Sequence, residues 1–231
     1  GPNRDDYSDQ ENGAAQAFVD WRYRPQSSVK LQYGHSIDKL DNKFGDEFNT
    51  EQDQVTLVGQ HKLAIGQGIY GLEYLNQSLD TTATGYNTDD RDVKSAFLGY
   101  LLANEQFDTQ ANIRFDDNSQ YGNETTYNVG GAYHLNPNFR IGANYAKGFR
   151  APDFNQLYYP GSGNPNLDAE TSDNYEAFIE YKTLLQSTRL TGYYNKVDDL
   201  INFNSIYDSK GNYVGGSYEN IEQAKINGLT L

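Results

Sequence analysis

The chain has 231 residues, 32 Asp and Glu against 18 Lys and Arg, and a formal charge of -14. That balance excludes nucleic acid as a partner, because phosphate binding needs clustered basic residues that release counterions. With no cysteine there is no disulfide framework, no thiolate nucleophile and no Cys-based zinc site. No apolar run approaches the roughly 20 residues of a spanning helix, which leaves membrane-spanning strands open, since their signal per segment is weak. The mean hydropathy of -0.82 is low, yet the chain carries 20 Tyr and 11 Phe, so aromatic side chains supply much of its apolar surface.

In chain order, Gly1-Pro2 is read as an expression scar, and residues 3-231 as one β-barrel segment. The acidic "NRDDYSDQE" follows, with Asp5, Asp6, Asp9 and Glu11. From there period-two alternation dominates. Ala17, Val19, Trp21 and Tyr23 oppose Phe18, Asp20 and Arg22. In "FDTQANIRF" the positions Phe107, Thr109, Ala111, Ile113 and Phe115 alternate with Asp108, Gln110, Asn112 and Arg114. "TYNVGGAYHL", "FRIGANYAK" and the strand around Tyr175 and Ile179 repeat the pattern. The alternation predicts strands near 14-23, 28-37, 52-63, 68-79, 92-103, 106-116, 125-134, 138-147, 172-183, 186-197 and 225-231, with a small extra hairpin at 201-218 closed by "DSKGN".

The connections are one-sided. Short turns fall at "RPQSS", "AIGQG", "ANEQ", "LNPN" and "TLLQS", and mostly longer polar segments at 38-51, 80-91, 117-124, 148-171 and 198-224. Strands of about ten residues with aromatic ends, one trimmed rim and one elaborated rim predict an all-β fold: an antiparallel transmembrane β-barrel with short periplasmic turns, long extracellular loops and a polar lumen. Hydrocarbon offers backbone groups no partner, so a spanning sheet must close and face lipid on one side only. A soluble sandwich would also alternate, but has no need of a face as charged as Asp20, Asp108, Arg114, Arg140, Glu176 and Glu180.

Enzyme signatures are absent: there is no G-x-S-x-G, P-loop or H-E-x-x-H. His35, His61 and His134 fall on three different strands, the pattern of satisfied polar residues rather than of ligands. The chain reads as no enzyme. The acidic segments carry the other candidate chemistry. Asp38, Asp41, Asp46 and Glu47 in "HSIDKLDNKFGDEFN", together with the N-terminal acids, offer the hard oxygens that calcium takes, although neither segment has EF-hand spacing. From the residues alone a solvated acidic surface is the plainer account of them.

Two segments add a resemblance. "RFDDNSQYG" (Arg114 to Gly122) followed by "YAKGFRAPDFNQLYYPGSGNPNLDAETSDNYE" (Tyr145 to Glu176) resembles the carboxy-terminal barrel of TonB-dependent outer-membrane transporters. The matches are Phe149 to Pro152, Leu157-Tyr158, Asn164 to Leu167, Glu170, Ser172 and Glu176, then "GYYNKVDDLINF" and "IEQAKINGLTL" in family order. Within the family "FDDNSQYG" and "YGHSIDKLDNKFGDE" look most like the cobalamin (vitamin B12) transporters. The resemblance implies part of a barrel of about 22 strands in the bacterial outer membrane, with outer-membrane lipid, cobalamin and TonB as partners. It implies calcium in the outer loops, carried to Asp5, Asp6, Asp38 and Asp41. It also implies a loop at 148-171 that offers Tyr158, Tyr159, Asn164 and Asn166 to the ligand. The family's amino-terminal plug has no counterpart here, and the chain stops at "INGLTL" inside a strand, so a fragment with two unpaired edges is expected, which self-associates or continues in flanking sequence. Uptake of a ferric siderophore or haem, and a soluble β-adhesin, are the alternatives.

Overall fold

A computed structural model describes residues 8-42, 47-82 and 90-231. Eleven strands follow one another: β1 (Ser8–Arg24), β2 (Ser27–Asn42), β3 (Glu47–Lys62), β4 (Gln67–Thr81), β5 (Asp90–Ala103), β6 (Phe107–Asn118), β7 (Gly122–Asn136), β8 (Phe139–Arg150), β9 (Glu170–Lys182), β10 (Ser187–Tyr207) and β11 (Tyr213–Thr230), with one short helix, α1 (Phe154–Tyr158), between β8 and β9. They form a single sheet in sequence order, with β1 and β11 at its edges, and every neighbouring pair is antiparallel.

The expected strand set is present, but the strands are longer than about ten residues, running from 12 in β6 to 21 in β10. Three of the segments expected as outer loops, 38-51, 117-124 and 198-224, are therefore largely strand. Between β6 and β7 only residues 119-121 remain outside the ladder, and the segment 38-51 contributes to β2 and β3 on either side of residues 43-46, which lie outside the described residues. The separate hairpin expected at 201-218 is instead the upper part of β10 and β11, whose register runs unchanged from Thr191↔Thr230 to Ile206↔Gly215. A ladder needs only backbone partners, so polar residues prolong it wherever water rather than lipid meets the side chains. "DSKGN" does close that hairpin, with Asp208 Oδ1 accepting from the backbone N–H groups of Lys210 (2.8 Å) and Asn212 (2.9 Å) and Gly211 at φ 80°.

Successive side chains alternate between faces, and register lines them into rows. Val19, Leu31, Leu57, Leu72, Ala96 and Phe115 are consecutive cross-strand partners on the outward face of β1 to β6. Leu72 is 59% exposed and Val19 69%, an apolar surface that only lipid would cover favourably. Two aromatic girdles bracket this belt. On the trimmed rim Phe107 meets Tyr133 at 5.2 Å and Phe139 meets Tyr181 at 4.6 Å between ring centroids. On the other, Tyr145 lies 5.8 Å from Tyr127 and 4.9 Å from Tyr175, which lies 6.2 Å from Tyr194. Phe139 and Tyr145 are six residues apart on β8, about 20 Å along the strand, on the scale of the apolar band of such barrels.

The upper girdle repeats one device. Tyr33 donates its hydroxyl to Asp53 (2.5 Å), Tyr74 to Asp92 (2.6 Å) and Tyr145 to Asp173 (2.6 Å). Each Asp sits two residues nearer the outer rim than the Tyr's own cross-strand partner. A ring at the edge of the hydrocarbon thus has its polar tip held toward water.

The inward face is held by ion pairs. Arg114 reaches Glu73 (2.6 Å) and Asp116 (2.9 Å), and Arg140 reaches Asp108 (3.0 Å) and Glu180 (3.1 Å). Four of the six charges that singled out this face in the sequence, Asp108, Arg114, Arg140 and Glu180, lie in these pairs, while Asp20 meets Arg22 at 3.2 Å. The histidines are separate and individually partnered: His35 with Asp53 (2.9 Å), His61 with the Tyr23 hydroxyl (2.7 Å) and His134 with Asp108 (2.8 Å).

Candidate functional site

The long connection between β8 and β9 folds into a cap with its own core. Its helix starts because Asp153, in extended conformation, accepts from the Gln156 N–H (2.7 Å) while Gln156 Oε1 accepts from the Asp153 N–H (3.1 Å), a reciprocal box that satisfies two otherwise unpaired donors. One turn of helix then aims Phe154 and Leu157 inward. Phe154 packs with Phe48 of β3 and Leu79 of β4. Leu157, 1% exposed, packs with Leu167 and with Ile201 of β10. Tyr158 touches both clusters. On a flat sheet β3 and β10 would lie about 34 Å apart, so one short cap bridges them only because the sheet is strongly curved, and the cap lies across the mouth of the concave side.

Polar anchors fasten it at three places. Arg91 of β5, 6% exposed, donates to the Pro152 carbonyl (2.8 Å) and to Gln120 Oε1 (2.8 and 3.0 Å). Its guanidinium lies 5.0 Å from the Phe154 ring and 5.7 Å from the Tyr121 ring, where a cation gains from the aromatic face. Burial pushes the Tyr121 hydroxyl up to about 12, against the opposing pull of Arg91. At the base of the cap, Arg150 and Glu170 are cross-strand partners joined by two bonds of 2.8 and 2.6 Å. Glu170 Oε1 also accepts from the Ile201 N–H (2.8 Å). On the far side Asn220 of β11 accepts at Oδ1 from the Asp168 N–H (2.9 Å) and donates from Nδ2 to the carbonyls of Asp168 (3.0 Å) and Asp199 (2.7 Å). Asp199 sits at φ 56°.

The four residues expected to meet a ligand divide into two kinds. Tyr158 accepts from Gln120 Nε2 (3.1 Å) and belongs to the core contacts of the cap. Asn164 shapes the "NPNL" turn, accepting from the Asn166 N–H (3.0 Å) and donating to the Tyr218 carbonyl (2.9 Å). Tyr159, stacked on Phe48 at 5.9 Å, remains 42% exposed, and Asn166 is exposed. Those two keep free surface. Arg91, Gln120 and Asn220 were not singled out from the sequence, because their partners are backbone carbonyls and side chains far along the chain.

Of the acidic residues expected to hold calcium, Asp5 and Asp6 lie outside the described residues, as does Asp46. Asp38 and Asp41 are both exposed on β2. Being three residues apart, they point to opposite faces of the strand. Asp38 accepts from Gln10 Nε2 at 3.2 Å. Among the described residues no group of three or more His, Cys, Asp or Glu converges as a metal would require.

A curved antiparallel sheet with an apolar outward belt, two aromatic girdles and an ion-paired inner wall is the wall of an outer-membrane β-barrel. The family described as "TonB dependent receptor-like, beta-barrel" matches residues 1-231, and the chain belongs to it. Its members are outer-membrane receptors rather than enzymes, and this chain is placed in the outer membrane with them. The chain is similar to the vitamin B12 transporter BtuB of Photobacterium profundum, with 30% identity over 224 residues, 88% of this chain and 36% of that protein. It is likewise similar to BtuB of Vibrio cholerae serotype O1 (strain M66-2), with 34% identity over 202 residues, 85% of this chain and 32% of that protein. The chain spans about a third of the length of these curated relatives. Among solved structures it resembles the Serratia marcescens hemophore receptor HasR (TM-score 0.73, 16% identity, 97% of this chain and 46% of that one). It also resembles the siderophore receptor PirA of Acinetobacter baumannii (TM-score 0.68, 18% identity, 96% and 41%). At those identities the likeness is one of fold.

Proposed function

We propose that this chain forms wall and outer cap of a receptor that captures cobalamin and passes it inward with energy from TonB. The observation that carries the reading is 30 to 34% identity to vitamin B12 transporters over most of the chain. The cap adds support: it lies over the mouth and leaves Tyr159 and Asn166 on its surface, a flat ring and an amide suited to a large ligand with many hydrogen-bonding groups. Family membership sets aside a soluble adhesin. Calcium belongs to the proposal through Asp38 with Asp5 and Asp6, while Asp41, on the other face of β2, serves a different ion or none.

Calorimetric titration of the purified protein in neutral detergent tests this, with cyanocobalamin, a ferric catecholate and haem injected separately, each with and without millimolar calcium. The reading expects heat from cyanocobalamin alone, tightened by calcium. Heat from the ferric catecholate or haem instead would move the cargo to a siderophore or haem.

A further inference from the structure

We infer that the outward face of β8 to β11 carries a binding site for a phosphate-bearing lipid headgroup of the outer leaflet. Lys147, Asp173, Lys196 and Lys225 are consecutive cross-strand partners in one row. That row stands two residues nearer the outer rim than Tyr145, Tyr175 and Tyr194 of the upper girdle, themselves consecutive partners. At a strand spacing of about 4.8 Å the ammonium-bearing residues of β8 and β10 are about 10 Å apart, and those of β10 and β11 are direct neighbours.

Three lysines thus share one row of an otherwise acidic protein. Asp173 takes the Tyr145 hydroxyl, and Asp198 takes the Lys196 ammonium at 2.7 Å. Lys147 and Lys225 make no ion pair among the described residues. The row is net positive at the depth where lysines lift their charge to the headgroups and lay their stems on apolar surface. At the corresponding level β2 to β5 carry the row His35, Asp53, Asn76 and Asp92, with the same aspartates but no lysine, so the three-lysine row is local to one arc of the wall. Beneath it lie Tyr145, Tyr175 and Tyr194, then Ile141, Ile179 and Leu190, partners in sequence across β8, β9 and β10. Cationic groups directly above a continuous apolar strip match an amphiphile whose phosphates sit at the head of its acyl chains, which a soluble phosphate would not exploit.

The probe is a bisphosphorylated, multiply acylated glycolipid and its dephosphorylated form, each titrated into the purified protein in neutral detergent and read by native mass spectrometry. The protein should favour the phosphorylated lipid, each of Lys147→Gln, Lys196→Gln and Lys225→Gln should weaken it about five-fold, and the triple arginine variant should retain it. Lys30→Gln, on the inward face, should leave it unchanged. Equal binding of the two lipids by the native protein, or single lysine variants that bind the phosphorylated lipid as the native protein does, would overturn the assignment.

Discussion

Replacing Leu157 by alanine is expected to open the cap over the barrel mouth while leaving the sheet intact. Leu157 is 1% exposed and is the contact that joins α1 to Leu167 and Ile201. Truncating a leucine so enclosed costs about 2 to 5 kcal/mol, with the upper end reached where the surroundings cannot collapse. Here two walls of the cavity are the "NPNL" turn and strand β10, both pinned by hydrogen bonds, so collapse is limited. The Phe154 cluster with Phe48 and Leu79 and the polar anchors remain in this variant, so the loss falls on the side of the cap that meets Leu167 and Ile201. Hydrogen exchange should rise by two orders of magnitude or more over residues 154-168, with β9 and β10 below the girdle unchanged. Unchanged exchange in the cap would mean that this cluster does not hold it.

Glu170→Ala should act on the same cap from its base, by a different cause. The carboxylate is buried and holds both Arg150 and the Ile201 N–H. Arg150 is about half exposed and recovers water when its partner is removed, so the full cost of stranding a buried charge does not apply. The Ile201 N–H has no such recourse, since Ile201 is 8% exposed, and an orphaned buried donor costs about 1 to 3 kcal/mol. With the lost Arg150 bonds added, the sum is about 2 to 4 kcal/mol. Glu170→Gln should lose less, because its amide oxygen still accepts from Ile201. An equal loss from both variants would place the effect in the Arg150 pair alone. The family motif residues "FRAP", "LY", "NPNL" and the following Glu therefore read as fasteners of the cap, with Leu157, Leu167 and Glu170 buried and Arg150 and Asn164 bonded to Glu170 and to the Tyr218 carbonyl.

The sheet was legible because its cause is local. Period-two alternation in segments such as Phe107 to Phe115 is visible residue by residue, and the structure places each such segment in a strand. Strand ends were not legible, since above the lipid nothing forces one face to be apolar and "DDLINF" keeps pairing without an apolar row. The cap was half legible. Asp153 followed three residues on by Gln156 is a capping signal, and Leu157 and Leu167 are conspicuous apolar residues in a polar stretch. Arg91 could not be found that way: its partners, Gln120 and Pro152, are 29 and 61 residues away, brought to it by the pairing of β5 with β6 and by the fold of the cap. The part that Tyr158 and Asn164 play in the cap's packing and its turn was not legible either, because an aromatic or amide that serves a core contact or a turn has the same letter as one that faces outward.

A membrane-spanning wall requires that one defined face of the sheet meets lipid, and site-directed spin labelling in bilayers measures that directly. Labels at Leu72, Leu98 and Val129 should be relaxed by oxygen, which concentrates in hydrocarbon, and labels at Thr56, Asn112 and Asn128 by a water-soluble nickel chelate. Period-two alternation of that kind along β3 to β7 is the predicted result; labels at Leu72, Leu98 and Val129 that are relaxed by the nickel chelate would contradict a membrane-spanning wall.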